Sequence, residues 1–262
     1  MTLILRMDPA PDGVLRLTLN DPTCRNALSE AMMEQLNAAL AAAAVNDDVR
    51  VIVLAATGPA FCAGHHLQEM SAARANDDHG KAYFTDILKR CSALMQAISN
   101  SPKPVIAEIA ELATAAGCQL VASCDLAYAA PTAKFCTPGV HIGLFCSTPM
   151  VALSRNVAAK HAMEMLLIGD MIGAAQAAEM GLINAVIEAD DLTAHVDMIA
   201  GKIAAKSPMT LATGKAAFYA QREMSMSDAY EYAAQIMVEN MLRRDAVEGI
   251  SAFIEKRDPN WK

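Results

Sequence analysis

The sequence has no excess of positive charge. It contains 21 lysines and arginines against 29 aspartates and glutamates, which gives a net charge of −8. No basic stripe is available to offset the repulsion of phosphates, so nucleic acid is excluded as a general partner. A small anionic ligand held by a few local cations remains compatible with this charge.

Membrane and export signals are also missing from the sequence. No apolar run reaches the ~20 residues that a membrane span requires. The first residues, Met1 to Arg6, are followed at once by Asp8, Pro9 and Pro11. They form neither a secretory signal nor an Arg-rich transit helix. These absences predict a cytoplasmic protein with no membrane association.

The cysteines show no pairing pattern. Their number is odd, they are scattered along the chain, and none forms a C-x-x-C pair. The sequence therefore predicts reduced thiols rather than disulfides or a zinc site. The seven are Cys24, Cys62, Cys91, Cys118, Cys124, Cys136 and Cys146.

The sequence is rich in apolar residues, at 54% of 262 residues with 19% charged, which permits one large core. Apolar strand-like runs alternate with helix-like segments, so an α/β fold with parallel strands is predicted. Strands are predicted at residues 14–19, 51–56, 103–109, 126–129 and 133–136, with helices at 29–44, 82–99 and 116–123. The polar segment 71–80 predicts a mobile loop.

Beyond about residue 200 the pattern becomes purely helical. Helices are predicted at residues 208–221, 227–243 and 246–255, and no linker or repeat precedes them. We therefore expect a core at residues 1–200 and a helical region at 201–262. This region would pack on the core or on a neighbouring subunit.

Two segments carry the chemistry, residues 61–67 and 113–119. Each follows an apolar strand-like run and opens into a helix-like one, which aims backbone N–H groups at a small electron-rich atom. Ala116 would lie in the first turn of a helix, where free N–H groups and the helix dipole favour an oxyanion. Such a pair of N–H groups can hold a thioester oxygen as its negative charge grows.

These segments and several others resemble the crotonase (enoyl-CoA hydratase/isomerase) superfamily over essentially the whole chain. The matching landmarks are residues 26–28, 61–67, 103–107, 116–120, 124–129, 175–183 and 248–253. Residues 135–139 and 143–149 narrow the resemblance to one branch of that family, found in animals with bacterial relatives.

The resemblance implies a fold, an assembly and a ligand. The fold is an α/β, crotonase-like spiral of ββα units with a helical C-terminal trimerisation region, assembled as a trimer or as a hexamer of two trimers. The partner is an acyl-CoA thioester, with coenzyme A as part of the substrate and no tightly bound cofactor. Its carbonyl oxygen would lie between the backbone N–H groups of His65 and Ala116.

The sequence departs from the family at two positions where hydratases place glutamates. Gln119 can orient a water molecule but cannot accept its proton at neutral pH, and Gly139 has no side chain. Because general acid–base catalysis contributes roughly 10²–10⁴-fold per group, standard hydration is not expected. Two hypotheses stay open: an enzyme that stabilises an enolate or related oxyanion, and a non-catalytic acyl-CoA-binding or regulatory protein.

Other side chains offer substitutes for the missing carboxylates. His141 could carry a proton near neutral pH, or be a loop or interface histidine. Cys146 could face the acyl pocket, where a thiol without an activating base is inert. His65 and His66 are adjacent on an extended segment and point to opposite sides, so no metal site is expected. His66 could instead cap the following helix.

The resemblance also implies contacts to the coenzyme A part of the substrate. Arg25 and Lys256 suit phosphate groups electrostatically, with Lys256 supplied by this or a neighbouring subunit. Either could equally be an ordinary solvated cation. The full set of expected contact residues is Cys24, Arg25, Ala27, Ala63, His66, Leu67 and Lys256.

Overall fold

The structure is a computed structural model, and it describes residues 5–9 and 12–261. Residues 1–4, part of the segment considered for an export signal, lie outside the described residues. The strands are β1 (Leu5–Pro9), β2 (Val14–Leu19), β3 (Val51–Ala56), β4 (Ala60–Cys62), β5 (Val105–Ile109), β6 (Leu112–Thr114), β7 (Leu126–Ala129), β8 (Lys134–Cys136), β9 (Ile172–Gly173) and β10 (Ala185–Val186). The helices are α1 (Glu30–Val45), α2 (Leu67–Ala73), α3 (Lys81–Asn100), α4 (Ala116–Ser123), α5 (Pro149–Asn156), α6 (Ala159–Ile168), α7 (Ala174–Glu179), α8 (Leu192–Ala204), α9 (Pro208–Gln221), α10 (Met226–Met241) and α11 (Arg244–Glu255).

The chain forms two sheets, and from β3 to β8 successive strands alternate between them. The larger has the strand order β1-β2-β3-β5-β7-β10, and the smaller has the order β4-β6-β8-β9. Pairing is parallel except between β1 and β2 and between β8 and β9. Each turn thus contributes one strand to each sheet before a helix, as in β3-β4-α2 and β5-β6-α4. This is the expected spiral of ββα units.

Strand β3 shows why its sequence is apolar without interruption. Side chains alternate between the two faces of a strand. Ile52 and Leu54 lie in the main core, whereas Val51 and Val53 pack in a second cluster that includes Val196 of α8. Both faces of the strand are therefore covered, and every position is buried except the last.

The segment at residues 71–80 differs from the predicted loop. Helix α2 continues to Ala73, and hydrogen-bonded turns connect it to α3. Asp78 caps α3, because its carboxylate accepts hydrogen bonds from the N–H groups of Gly80 (3.0 Å) and Ala82 (2.7 Å). The predicted start of this segment at residue 71 was wrong, because α2, which His66 caps, continues to Ala73, whereas residues 74–80 form turns.

The C-terminal helices form an apolar surface that no other described part of this chain covers. Neither α9 nor α10 has a buried residue. Large exposed side chains on α10, α11 and the residues between them include Met226, Tyr230, Met237, Leu242, Phe253 and Ile254. The division into residues 1–200 and 201–262 remains a prediction, and α8 runs across it.

Helix α9 is attached to the core through one carboxylate. Lys215 Nζ lies 2.6 Å from Asp125 Oδ2 and also donates to the carbonyls of Ile98 and Lys103. Tyr219 donates its hydroxyl hydrogen to Asp125 Oδ1 at 3.0 Å. These bonds from Lys215 and Tyr219 join α9 to the core segments that carry Ile98, Lys103 and Asp125.

All seven cysteines are free, and six of them are buried, as the sequence predicted for reduced thiols. Burial raises the pKa of both Cys62 and Cys91 to about 12, so these thiols stay protonated at neutral pH. Among the described helices, none has the length and apolar character needed to cross a membrane.

Candidate functional site

The two segments singled out in the sequence meet at one edge of the smaller sheet. Strands β4 and β6 pair in parallel, with Ala60 opposite Leu112 and Cys62 opposite Ala113. The residues that follow the two strands therefore emerge side by side. Two glycines, one in each segment, permit the close approach.

Gly64 is the glycine of the first segment. It adopts a left-handed conformation with φ +86°, and a Cβ there would lie 3.0 Å from Ala115 Cβ and 3.4 Å from Ala116 N. Gly117 is the glycine of the second segment, and a Cβ there would overlap the carbonyl oxygen of Cys62. Helix α4 thus begins in direct contact with the backbone of the first segment.

Segments 61–67 and 113–119 meet at a junction, and two backbone N–H groups there are free. Leu28 donates its N–H to the Gly64 carbonyl at 2.7 Å, which fixes the extended segment beside His65. Ala116 is the first residue of α4, where N–H groups have no partner inside the helix. Within the described residues, neither the His65 N–H nor the Ala116 N–H donates a hydrogen bond.

Ala115 holds a strained backbone directly before α4. Its φ of 51° and ψ of −116° are rare for a residue with a Cβ, a type of strain that costs of the order of 1–3 kcal/mol. Its N–H donates to the Cys136 carbonyl (2.9 Å), and its own carbonyl accepts from the Gln119 N–H (3.0 Å). These bonds hold the strained residue that sets the direction of the Ala116 N–H.

The two adjacent histidines have different environments. His66 caps α2, with Nδ1 accepting the Glu69 N–H at 3.3 Å. The ring nitrogens of His65 are buried, and neither has a hydrogen-bond partner among the described residues. Burial lowers the pKa of His65, opposed by the nearby Leu28 carbonyl, so the imidazole is neutral at pH 7.

Gln119 lies one helical turn beyond Ala116 and is 4% exposed. Its side-chain oxygen is buried without a partner among residues 5–9 and 12–261. The residue lines a cavity of about 500 Å³ between α3, α4, α5 and α9. A buried amide oxygen of this kind can accept a hydrogen bond from a water molecule or a ligand.

The structure brings Gly139 and Cys146 together. A Cβ at Gly139 would lie 3.0 Å from Cys146 Sγ and 3.0 Å from the Leu144 carbonyl oxygen. Burial raises the pKa of Cys146, opposed by the Gly139 N–H, so its thiol is protonated at neutral pH. The position that the resemblance assigns to a glutamate is therefore packed against a neutral thiol.

A second cavity, of about 460 Å³, lies on the other side of the junction. Arg25, Ala63, Thr114 and His141 line it, together with residues 169–171. His141 is exposed, with Nε2 3.9 Å from Asp170 Oδ1. Arg25 is fixed to the junction because its carbonyl accepts the Ala63 N–H at 3.0 Å.

The remaining predicted contact residues are dispersed. Cys24 is half-buried in a 3-10 turn, Ala27 is buried, and Leu67 is exposed at the start of α2. Lys256 is exposed and ends α11 in a left-handed conformation. It is not among the residues that line the Arg25 cavity, so within one chain the structure does not bring these two cations together there.

Asn26 is important for the site, and its role was missed in the sequence. The side chain is fully buried, donates to the carbonyls of Thr57 and Ala60 at 2.8 Å each, and accepts the Asp21 N–H at 2.7 Å. It thereby ties the turn that carries Arg25 to strand β4. The only signal of this role in the sequence was that Asn26 belongs to segment 26–28, one of those that resemble the family.

The comparisons with known proteins agree with this geometry. The sequence matches the model of the enoyl-CoA hydratase/isomerase family over residues 10–262, and the chain belongs to that family. It is 46% identical over 250 residues to the mitochondrial enoyl-CoA hydratase domain-containing protein 3 of Rattus norvegicus, covering 95% of this chain and 82% of the relative.

Solved structures extend the similarity to the fold. An enoyl-CoA hydratase of Mycobacterium smegmatis superposes with a TM-score of 0.94 at 47% identity, covering 99% of each chain. The human enoyl-CoA hydratase domain-containing protein 3 superposes with a TM-score of 0.93 at 42% identity, covering 98% of this chain and 100% of the other. The crotonase fold and the predicted branch, animal proteins with bacterial relatives, are confirmed.

The cytoplasmic location expected from the sequence is contradicted by these comparisons. The animal relatives from rat, mouse, frog and human are named mitochondrial. The expectation depended on the residues at the start of the chain. Targeting signals are read separately from the fold, so the composition of a folded domain does not report where it works.

Proposed function

We propose that this protein binds an acyl-CoA thioester with its carbonyl oxygen between the backbone N–H groups of His65 and Ala116, and acts on it by stabilising an enolate or related oxyanion. The supporting observation is that these N–H groups are free and lie on segments brought together at Gly64. A donor of this kind contributes on the order of 3 kcal/mol to a transition state.

The reaction requires a proton carrier other than the family glutamates. Gln119 and Gly139 supply no carboxylate, so we propose proton transfer, double-bond migration, C–C chemistry or hydration by a nonstandard route. His141 is one candidate to move protons because it lies two residues beyond Gly139 and has Asp170 beside it. The protonated thiol of Cys146 is a poor base in this environment.

The coenzyme A arm would occupy the Arg25 cavity. Arg25 and Ala63 line it directly beside the junction, and a guanidinium suits the phosphates of the ligand. Lys256 would reach those phosphates from a neighbouring subunit. The exposed apolar residues of α10 and α11 support a trimer or a hexamer, since such surfaces are normally covered in an assembly.

A second candidate function is non-catalytic acyl-CoA binding. The observation that favours it is Cys146 Sγ, which fills the space beside Gly139 where the side chain of a carboxylate would begin. Both functions predict acyl-CoA binding, and only the first predicts chemistry at Cα or Cβ.

The location indicated by the names of the animal relatives is mitochondrial.

The two functions are separated by activity measurements on the pure protein. Crotonyl-CoA and a 3-enoyl-CoA are tested for turnover, and proton exchange at Cα is followed in heavy water. Turnover or exchange supports the enzyme, and tight binding without either supports the binding protein. Failure to bind acyl-CoA rejects both functions.

The proposed donor is tested by Ala116→Pro, which removes the N–H at a helix position where proline is tolerated. Any turnover or exchange should fall about 100-fold or more. Ala116→Gly keeps the N–H and is the matched control. Thermal melting shows whether each variant is folded, and a folded Ala116→Pro protein of normal activity would contradict the proposed site.

A further inference from the structure

The cavity between α3, α4, α5 and α9 lies along the same helix, α4, that begins at the proposed oxyanion site. On α4 it is lined by Gln119, Ala122 and Ser123, which lie on one stripe of the helix. Ala116 is three residues before Gln119 and belongs to the same stripe. The cavity therefore begins one helical turn from Ala116, and it shares no lining residue with the Arg25 cavity.

The lining of this cavity combines an apolar part with many polar side chains. Met95, Ala122, Val151 and Ala152 are apolar, but most other lining side chains form hydrogen bonds or carry charge. Several of these groups, such as Ser92 and Ser99, already donate to carbonyls of their own helix. The charged groups are therefore the ones that a purely hydrocarbon chain would leave without water. The polar members include Ser92, Gln96, Ser99, Asn100, Thr148 and Asn156.

Three charged groups line the outer part of the cavity. Arg155 is paired with Glu223, with Nη2 to Oε1 at 3.2 Å. Arg222 donates to the carbonyl of Arg155 and stacks over Phe218, with its guanidinium carbon 5.6 Å from the ring centroid. No carboxylate within the described residues pairs with Arg222, so the cavity has one positive charge that is not neutralised.

We propose that this cavity takes the acyl arm of a CoA thioester whose far end is a carboxylate, bound by the Arg222 guanidinium. This inference rests on the proposed function, since it assumes that the carbonyl oxygen lies at Ala116. The stripe from Ala116 to Ser123 spans about 10 Å along the helix axis, which suits a medium-length acyl group. A guanidinium presents paired N–H donors that match a carboxylate.

The test compares the binding of octanoyl-CoA and suberyl-CoA, which have acyl chains of equal length and differ in the terminal carboxylate. The wild-type protein should bind suberyl-CoA more tightly. Arg222→Gln should weaken suberyl-CoA binding about tenfold or more and leave octanoyl-CoA binding unchanged. Lys160→Gln, which removes an exposed charge on α6 outside the cavity, should change neither.

Each outcome has a separate meaning. Equal binding of the two ligands by the wild-type protein, or an equal loss of both in Arg222→Gln, overturns this inference and leaves the proposed function standing. Failure of the wild-type protein to bind either ligand overturns the proposed function itself. Octanoyl-CoA binding by Arg222→Gln shows that the variant is folded, and Arg222→Lys should recover part of the suberyl-CoA preference.

Discussion

Cys146 Sγ lies 3.0 Å from the point where a Cβ on Gly139 would be. Together with the Leu144 carbonyl at the same distance, it makes a side chain at this position fit only if its neighbours shift by a few tenths of an ångström. The position where the resemblance places a carboxylate is thus closely packed against the loop that carries Leu144 and Cys146. Restoring the carboxylate alone would require that loop to move.

Gly139→Ala should lower the free energy of unfolding by about 1–3 kcal/mol, because the added methyl group overpacks the contact with Cys146. The measurement is urea denaturation. In the double variant Gly139→Ala with Cys146→Ala, the loss should be smaller than the sum of the two single losses, since residues in contact couple. Additive losses would show that Cys146 does not restrict this position.

The same contact determines how hydratase activity could be introduced. Gln119→Glu with Gly139→Glu and Cys146→Ala should raise the rate of crotonyl-CoA hydration, because both carboxylates are then present and the thiol sulfur is gone. Each acid–base group contributes roughly 10²–10⁴-fold. Gln119→Glu alone is the control. A folded, CoA-binding triple variant with no gain would show that these positions do not flank the reacting carbons.

Alanine substitutions at two helical glycines, Gly117 and Gly214, test how closely segments 61–67 and 113–119 pack. Gly117→Ala should destabilise the protein by about 3 kcal/mol or more, because the new Cβ meets the Cys62 carbonyl, which is backbone and cannot rotate away. Gly214→Ala on α9 is the matched control, since nothing lies within 4 Å of its Cβ. It should stabilise the protein by about 0.5–1 kcal/mol. Similar effects of the two substitutions would refute this packing.

Much of the fold follows from local sequence signals. The strand at residues 51–56 and the helices at 116–123 and 208–221 have the bounds that the sequence predicted. In β3 an unbroken apolar run reflects burial on both faces, and Ser207 caps α9, accepting the Thr210 N–H at 3.1 Å. Such signals lie within a few residues, so a single sequence reveals them.

The parts that were missed depend on distant contacts. Asp125 pairs with Lys215, 90 residues away, and nothing near either residue indicates the partner. The cavity beside Gln119 is formed by four helices, and its charged groups Arg155 and Arg222 are 67 residues apart. The likeness to a family gave the positions of His65 and Ala116, but only the structure shows Cys146 against Gly139.

The buried His65 should make stability depend on pH. Its pKa is lowered in the folded state, so between that value and the unfolded value of about 6.5 the unfolded chain binds more protons. Stability should therefore fall as the pH drops below about 6.5. His65→Gln should lose this part of the slope in denaturation curves measured from about one pH unit above the unfolded pKa to about one unit below it. His79→Asn, at an exposed site, should retain it, and an unchanged slope in His65→Gln would contradict a buried neutral imidazole.

The C-terminal tail should detach in acid. Arg257 hydrogen bonds and the Asn260 N–H lower the pKa of Glu248 to about 2. A lowered carboxylate pKa gives stability that is present above the ordinary value of about 4.3 and is lost as the pH falls toward 2. Trp261, the single tryptophan, packs over Gly249 and donates to the Ala205 carbonyl at 2.9 Å, so it reports on the tail.

Tryptophan emission should shift to longer wavelength as the pH falls from about 4 to 2, because the ring becomes exposed to water when Glu248 is protonated. Glu248→Gln should show the shifted emission already at neutral pH and no acid step. Glu231→Gln, an exposed position on α10, should behave as the wild type. An acid step that persists in Glu248→Gln would assign the transition to another group and refute the role of this ion pair in docking the tail.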